Sequence, residues 1–108
     1  MTTIYKYLIE HDAEKNRMVI KIPKNAQPIS LLLSDGDKDY VYCIVDSEEK
    51  ETIEKEVIWI GTGYELEKET IEKIRYYTFL GTHKIGYFVW HFWIEPNVPN
   101  ILEDPFPF

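Results

Sequence analysis

Arg17-Met18-Val19-Ile20-Lys21-Ile22-Pro23 is the stretch that decides the fold class. Met18, Ile20 and Ile22 fall on one side of an extended backbone, with Arg17 and Lys21 on the other. That period of two is the pattern of a half-buried strand. A slip of one residue would turn the whole apolar set outward, so the register is strongly specified. Pro23 ends the strand by withholding a ladder donor. Working outward, Ile4 to Ile9 reads as a strand with Tyr5, Tyr7 and Ile9 on one face, followed by the polar turn His11 to Asn16. Ile29 to Leu33 is a third strand, and Asp35-Gly36 supplies hairpin chemistry. Tyr40 to Val45 is apolar on both faces, which predicts a central position. Val57 to Ile60 stops at Gly61-Thr62-Gly63, Ile74 to Leu80 follows, and Gly86 turns the chain into Tyr87 to Ile94. About seven short strands with turns between them predict an all-β chain, a compact antiparallel β-sandwich or barrel.

One ambiguity sits in an internal echo. Glu49-Lys50-Glu51-Thr52-Ile53-Glu54-Lys55 recurs letter for letter as Glu67-Lys68-Glu69-Thr70-Ile71-Glu72-Lys73. Two copies are too few for a solenoid, so they read as two charged connectors. Glu65 to Ile74 is rich enough in Glu, Lys and Leu to allow one short helix. The ending changes character: Pro96, Pro99, Pro105 and Pro107 fall within the last thirteen residues of the 108. Proline fixes φ and lacks an N–H, so 96–108 predicts an extended C-terminal tail beside a single β-rich domain over 1–95.

The chain is 44% hydrophobic and 15% aromatic, ample for a core; a chain of this length buries roughly 65% of its unfolded surface. It has no apolar run long enough to cross a membrane as a helix and no secretory leader pattern, so a cytoplasmic protein is expected. Nineteen acids against twelve bases give a net charge of -7, a field that opposes broad nucleic-acid binding but says nothing about one local pocket. The single cysteine, Cys43, lies in an apolar strand and reads as a buried filler.

Chemistry is sparse. Three histidines and one cysteine offer no zinc-site spacing, so no metal and no cofactor are expected. Carboxylates lie in solvated charged runs, no serine-nucleophile motif occurs, and no enzyme activity is expected. Gly61-Thr62-Gly63 lacks the Lys-Ser/Thr of a phosphate loop and reads as a turn, with an anion-binding nest as the sharper alternative. Trp59, Gly61, Thr62, Gly63, His83 and His91 are the candidate ligand-binding residues. The closing strand carries Phe88, Trp90, Phe92 and Ile94 on one face with Val89 and Trp93 on the other. A sandwich sheet needs only one buried face, so a homo-oligomer is expected. Phe88, Trp90, Phe92, Trp93, Ile101, Leu102, Phe106 and Phe108 are its candidate interface.

The ordered motifs Tyr5-Lys6-Tyr7, Ile20-Lys21-Ile22-Pro23-Lys24-Asn25-Ala26, Val45-Asp46, Gly61-Thr62-Gly63, Phe79-Leu80-Gly81-Thr82 and Val89-Trp90-His91-Phe92 together resemble a family of small bacteriophage-encoded proteins. The resemblance runs from Ile4 to Trp93. Tyr40 and Tyr42 stand where that family usually has tryptophan, and the tail from Pro96 is additional. What the resemblance implies is a non-catalytic phage or prophage accessory protein working in the bacterial host cytoplasm. The function expected is a homo-oligomeric binder that counters a host defence, by sequestering a signalling nucleotide or by blocking a defence protein. An acidic mimic of nucleic acid, or a self-associating assembly accessory, is the alternative.

Overall fold

The computed structural model describes residues 1–10, 16–33 and 38–97, without the side chains of Leu32 and Leu33. Seven strands and one short helix follow in the order β1 (Thr2–Ile9), β2 (Arg17–Pro23), β3 (Gln27–Leu33), β4 (Asp39–Asp46), β5 (Thr52–Gly61), α1 (Lys68–Ile74), β6 (Thr78–Ile85) and β7 (Phe88–Ile94). They form two antiparallel sheets, β1-β4-β3 and β2-β5-β7-β6. The chain is an all-β sandwich.

Alternation explains each sheet. β4 buries Asp39, Val41, Cys43 and Val45, and half-buries the residues between them; it runs between β1 and β3, the central position its two apolar faces demand. β2 turns Ile20 and Ile22 inward, with Met18 packed at their edge. Beside β2 in the same sheet, β5 and β7 contribute Val57, Trp59, Trp90, Phe92 and Ile94 to that core. The largest of these, Trp59 and Phe92, are fully buried with ring centroids 6.2 Å apart. Each such side chain stabilises the fold by roughly 1.5–3 kcal/mol. Cys43 is buried in this core, and burial pushes its thiol pKa up to about 11, so it packs as a small hydrophobe.

Three boundaries lie furthest from the sequence expectation. β5 starts at Thr52, five residues ahead of Val57, because Ile53 packs on the core and Lys21 and Glu54 face each other across the ladder. β6 starts at Thr78 instead of Ile74, since α1 takes the chain as far as Ile74 and a turn follows. Gly81-Thr82 does not close β6: the strand runs on to Ile85, absorbing an extra residue in a register shift between Phe79 and Gly81. The Asp35-Gly36 turn and the polar turn 11–15 lie outside the described residues; β3 and β4 do pair as an antiparallel hairpin around the former.

Ile58 and Ile60 are 2% and 8% exposed although they point away from the sandwich core. The outer face of the four-stranded sheet is therefore covered at that point. Lys73 of α1 and Tyr77 just after it both reach Glu56 on that face, which anchors the helix there. Among the described residues, no helix is long and apolar enough to cross a membrane.

Candidate ligand-binding face

A tight turn and a bulge decide which side chains share the uncovered half of that outer face. Tyr64 N–H donates to the Gly61 carbonyl at 3.1 Å, across a turn whose third residue, Gly63, has φ +90°. A type II turn asks for that dihedral, which glycine adopts without strain. Gly61 is constrained by crowding instead: a Cβ there would lie 3.0 Å from the Tyr64 ring and 3.2 Å from the Trp90 ring. Thr62 N–H donates to the Val89 carbonyl at 2.9 Å. With the Thr62 N–H spent on Val89 and the Gly61 carbonyl closing the turn onto Tyr64, Gly-Thr-Gly works as a turn and not as an anion nest. Its effect is to bring Thr62 beside β7.

There Thr62 Oγ1 lies 2.7 Å from His91 Nε2, and Thr82 Oγ1 lies 2.9 Å from His91 Nδ1. A neutral imidazole has one donor nitrogen and one acceptor nitrogen, whereas a hydroxyl does both. The two threonines therefore satisfy either tautomer, and they hold the ring in one orientation. Thr82 reaches His91 because β6 continues past Gly81, which puts Thr82 directly opposite His91 in the ladder.

One register row away, Phe79 faces Trp93, with ring centroids 5.3 Å apart at 58°. Phe79 is 53% exposed and Trp93 half-buried, and the His91 ring lies 6.5 Å from the Trp93 ring. One row on the other side, Lys84 faces Val89 and is exposed. Rows on one face of a strand are about 7 Å apart. An aromatic pair, a row of fixed hydrogen-bonding groups and a cation thus lie in sequence over about 14 Å of sheet. Such a surface can stack a planar ring, read its polar edge and neutralise an anionic group.

The structure separates the residues singled out from sequence. Thr62 and His91 meet on this face, and Gly61 and Gly63 shape the turn that supplies Thr62. Trp59 is fully buried in the core, and His83 points inward, edge-on to the Phe92 ring at 6.1 Å. Sequence reasoning missed Thr82, Phe79 and Lys84 as members of the face. It also missed Asp39, 1% exposed, whose two carboxylate oxygens have no hydrogen-bond partner. Burial raises the Asp39 pKa to about 6, with the charge of His83 acting in the opposite sense. Among the described residues, no group of three or more His, Cys, Asp or Glu is placed to hold a metal ion.

Residues 1–101 match the family model described as a domain of unknown function, DUF7352. The chain belongs to that family. No curated protein and no solved structure matches it. In this DUF7352 chain the closing strand is divided between two roles. Trp90 and Phe92 are 4% and 0% exposed in the chain's own core, so they are not surface for a second subunit. The reason is that β7 is an interior strand, flanked by β5 and β6, whose inward face the opposite sheet covers. Phe88 is exposed and Trp93 lies on the outer face. Ile101, Leu102, Phe106 and Phe108 lie outside the described residues.

Proposed function

We propose that the protein is a non-catalytic binding module that holds a small nucleotide on the outer face of its four-stranded sheet. The observation that carries this reading is the Thr62–His91–Thr82 row, with both ring nitrogens engaged, set between the Phe79–Trp93 pair and Lys84. The base stacks on the aromatic pair, its polar edge meets the threonine hydroxyls that His91 holds in place, and the phosphate lies toward Lys84. Stacking of a base on an aromatic side chain contributes about 1–3 kcal/mol. The overall charge of -7 keeps longer nucleic acids away, while one lysine on the face suffices for a single phosphate group. Combined with the resemblance to bacteriophage chains, the biological role that follows is removal of a host signalling nucleotide from circulation. Action in the cytoplasm of the bacterial host fits that role.

Calorimetric titration with a panel of mono-, di- and cyclic nucleotides tests it. At least one should bind, and Trp93→Ala should weaken that binding about 5- to 150-fold, the equivalent of the stacking energy. Thr82→Val and Lys84→Glu should each weaken it too, with the fold intact by circular dichroism. Absence of binding across the panel, or unaltered affinity in Trp93→Ala, would overturn the reading.

A further inference from the structure

The second sheet has an open face of a different kind. Cross-strand pairs Ile4–Ile44, Lys6–Tyr42 and Leu8–Tyr40 form its outer surface. Ile4 is 53% and Leu8 39% exposed, while Tyr40, Tyr42 and Ile44 are half-buried. At one end a shallow depression of about 430 Å³ is lined by Thr2, Thr3, Ile4 and Ile44. Helix α1 is anchored on the other sheet through Glu56 and leaves this surface bare. An apolar strip with aromatic and β-branched side chains in adjacent rows is costly to leave in water.

The path of the chain after β7 indicates what covers it. Glu95 N–H donates to the Glu56 carbonyl, the buried Lys55 ammonium donates to the Pro96 carbonyl, and the Asn97 side-chain amide donates to the Ala26 carbonyl. These bonds carry the backbone across the end of the sandwich, from the four-stranded sheet to the start of β3. Gln27, the next residue after Ala26, is paired with Ile44, and Ile44 with Ile4. The chain therefore leaves Asn97 two strand spacings from the far side of the apolar strip, about 10 Å. Residues 98–108 remain, and eleven residues can reach roughly 36 Å.

The composition of that segment matches the strip. Ile101, Leu102, Phe106 and Phe108 are apolar, and Glu103 and Asp104 lie between the two pairs. The strip offers one cation, Lys6, whose ammonium is 4.4 Å from the Tyr40 ring centroid. Pro99, Pro105 and Pro107 lack N–H groups, which makes the segment a poor extra strand on the β3 edge and suits it to contact through side chains. Attachment to the same chain gives an effective concentration on the order of millimolar, so a segment that fits the strip meets its own before a neighbour's.

We propose that the C-terminal segment 98–108 docks on the outer face of the three-stranded sheet of its own chain, with its apolar residues over Ile4, Tyr42 and Ile44. This surface is separate from the proposed nucleotide face, and the inference stands without it.

The test uses the full chain with methyl and aromatic NMR resonances as the readout, alongside light scattering. Phe106→Ser/Phe108→Ser should shift the methyls of Ile4, Leu8 and Ile44 while leaving those of Val57 and Ile94 in place. Reciprocally, Ile4→Lys on the sheet should shift the Phe106 and Phe108 rings. Both sets of shifts should be the same across a wide dilution series of a monomeric particle. Shifts that fade on dilution as a dimer dissociates would assign the strip to a second copy and overturn the proposal. So would unmoved Ile4, Leu8 and Ile44 methyls in the tail variant.

Discussion

Two copies of one heptapeptide take two different structures in this chain. Glu49–Lys55 leads from a turn into β5, and Glu67–Lys73 caps and then forms α1. Identical side chains meet opposite fates: Ile53 packs against the core, whereas Ile71 is 37% exposed. Lys55 is buried against the Pro96 carbonyl, whereas Lys73 lies at the surface of a helix with no buried residue. Local propensity is the same for both by construction, so it decides neither. What differs is the surroundings. The first copy runs on into Val57-Ile58-Trp59-Ile60, a β-branched and aromatic run with β2 and β7 paired on either side. The second follows an exposed turn and has no strand beside it, so the helical preference of Glu and Lys prevails. A seven-residue helix is marginal alone, and its tether to Glu56 supplies the tertiary support.

The comparison breaks hardest at the isoleucine. Ile53→Asp buries an unpaired charge against the core and should cost about 3 kcal/mol. Ile71→Asp changes a surface helix position and should cost about 0.5 kcal/mol. Urea midpoints at neutral pH separate the two. Equal losses would mean that the two isoleucines are equally committed to packing.

Glu56 sharpens the contrast, since it follows the first copy and binds the last residue of the second. Its carboxylate accepts from Tyr77 Oη at 2.7 Å and Lys73 Nζ at 3.1 Å, and Arg17 Nη1 lies 3.7 Å away. Desolvation opposes ionisation, but these partners outweigh it and hold the pKa below the usual 4.5. Glu56→Ala should cost about 2 kcal/mol at neutral pH by leaving the half-buried Tyr77 and Lys73 donors unpaired. A lowered carboxylate pKa gives stability that is present above the unfolded value near 4.5. That stability disappears as pH falls through the folded value. Denaturation curves of the variant and the parent should therefore converge in acid; a gap that persists at low pH would mean the loss is packing and not charge.

How much was legible in the sequence follows from the same contrast. β2 and β4 were readable because their alternation is uninterrupted and each is set by its own side chains. The first half of β5 was not, since Glu54 and Glu56 look like a solvated connector until β2 places Lys21 opposite Glu54 and brings Arg17 to Glu56. β6 was displaced because Ile74 and Leu80 carry an apolar spacing that a helix end and a bulged strand share. At the candidate face, His91 and Thr62 could be named from their motifs. Thr82 could not, because its partnership depends on a ladder register that no local pattern encodes. Asp39 carried one faint signal, an acid directly abutting a strand apolar on both faces.

The smallest expected effect also differs most in sign. Glu67 is the N-cap of α1 and makes no side-chain hydrogen bond to the helix's free N–H groups. Glu49, its twin, accepts from the Glu51 N–H at 3.2 Å in a turn. Serine is a good N-cap, because its short hydroxyl reaches the second or third amide of the first turn. Glu67→Ser should therefore stabilise the chain by about 0.5 kcal/mol, although it removes a carboxylate that favours the positive end of the helix dipole. Glu49→Ser loses an exposed hydrogen bond and should destabilise by a few tenths of a kcal/mol, about what surface contacts are worth. Paired urea titrations resolve differences of this size when the slopes agree. Midpoints moving in opposite directions would show that one substitution in one heptapeptide is read by the backbone conformation around it; the same direction in both would point to net charge, which the two changes alter equally.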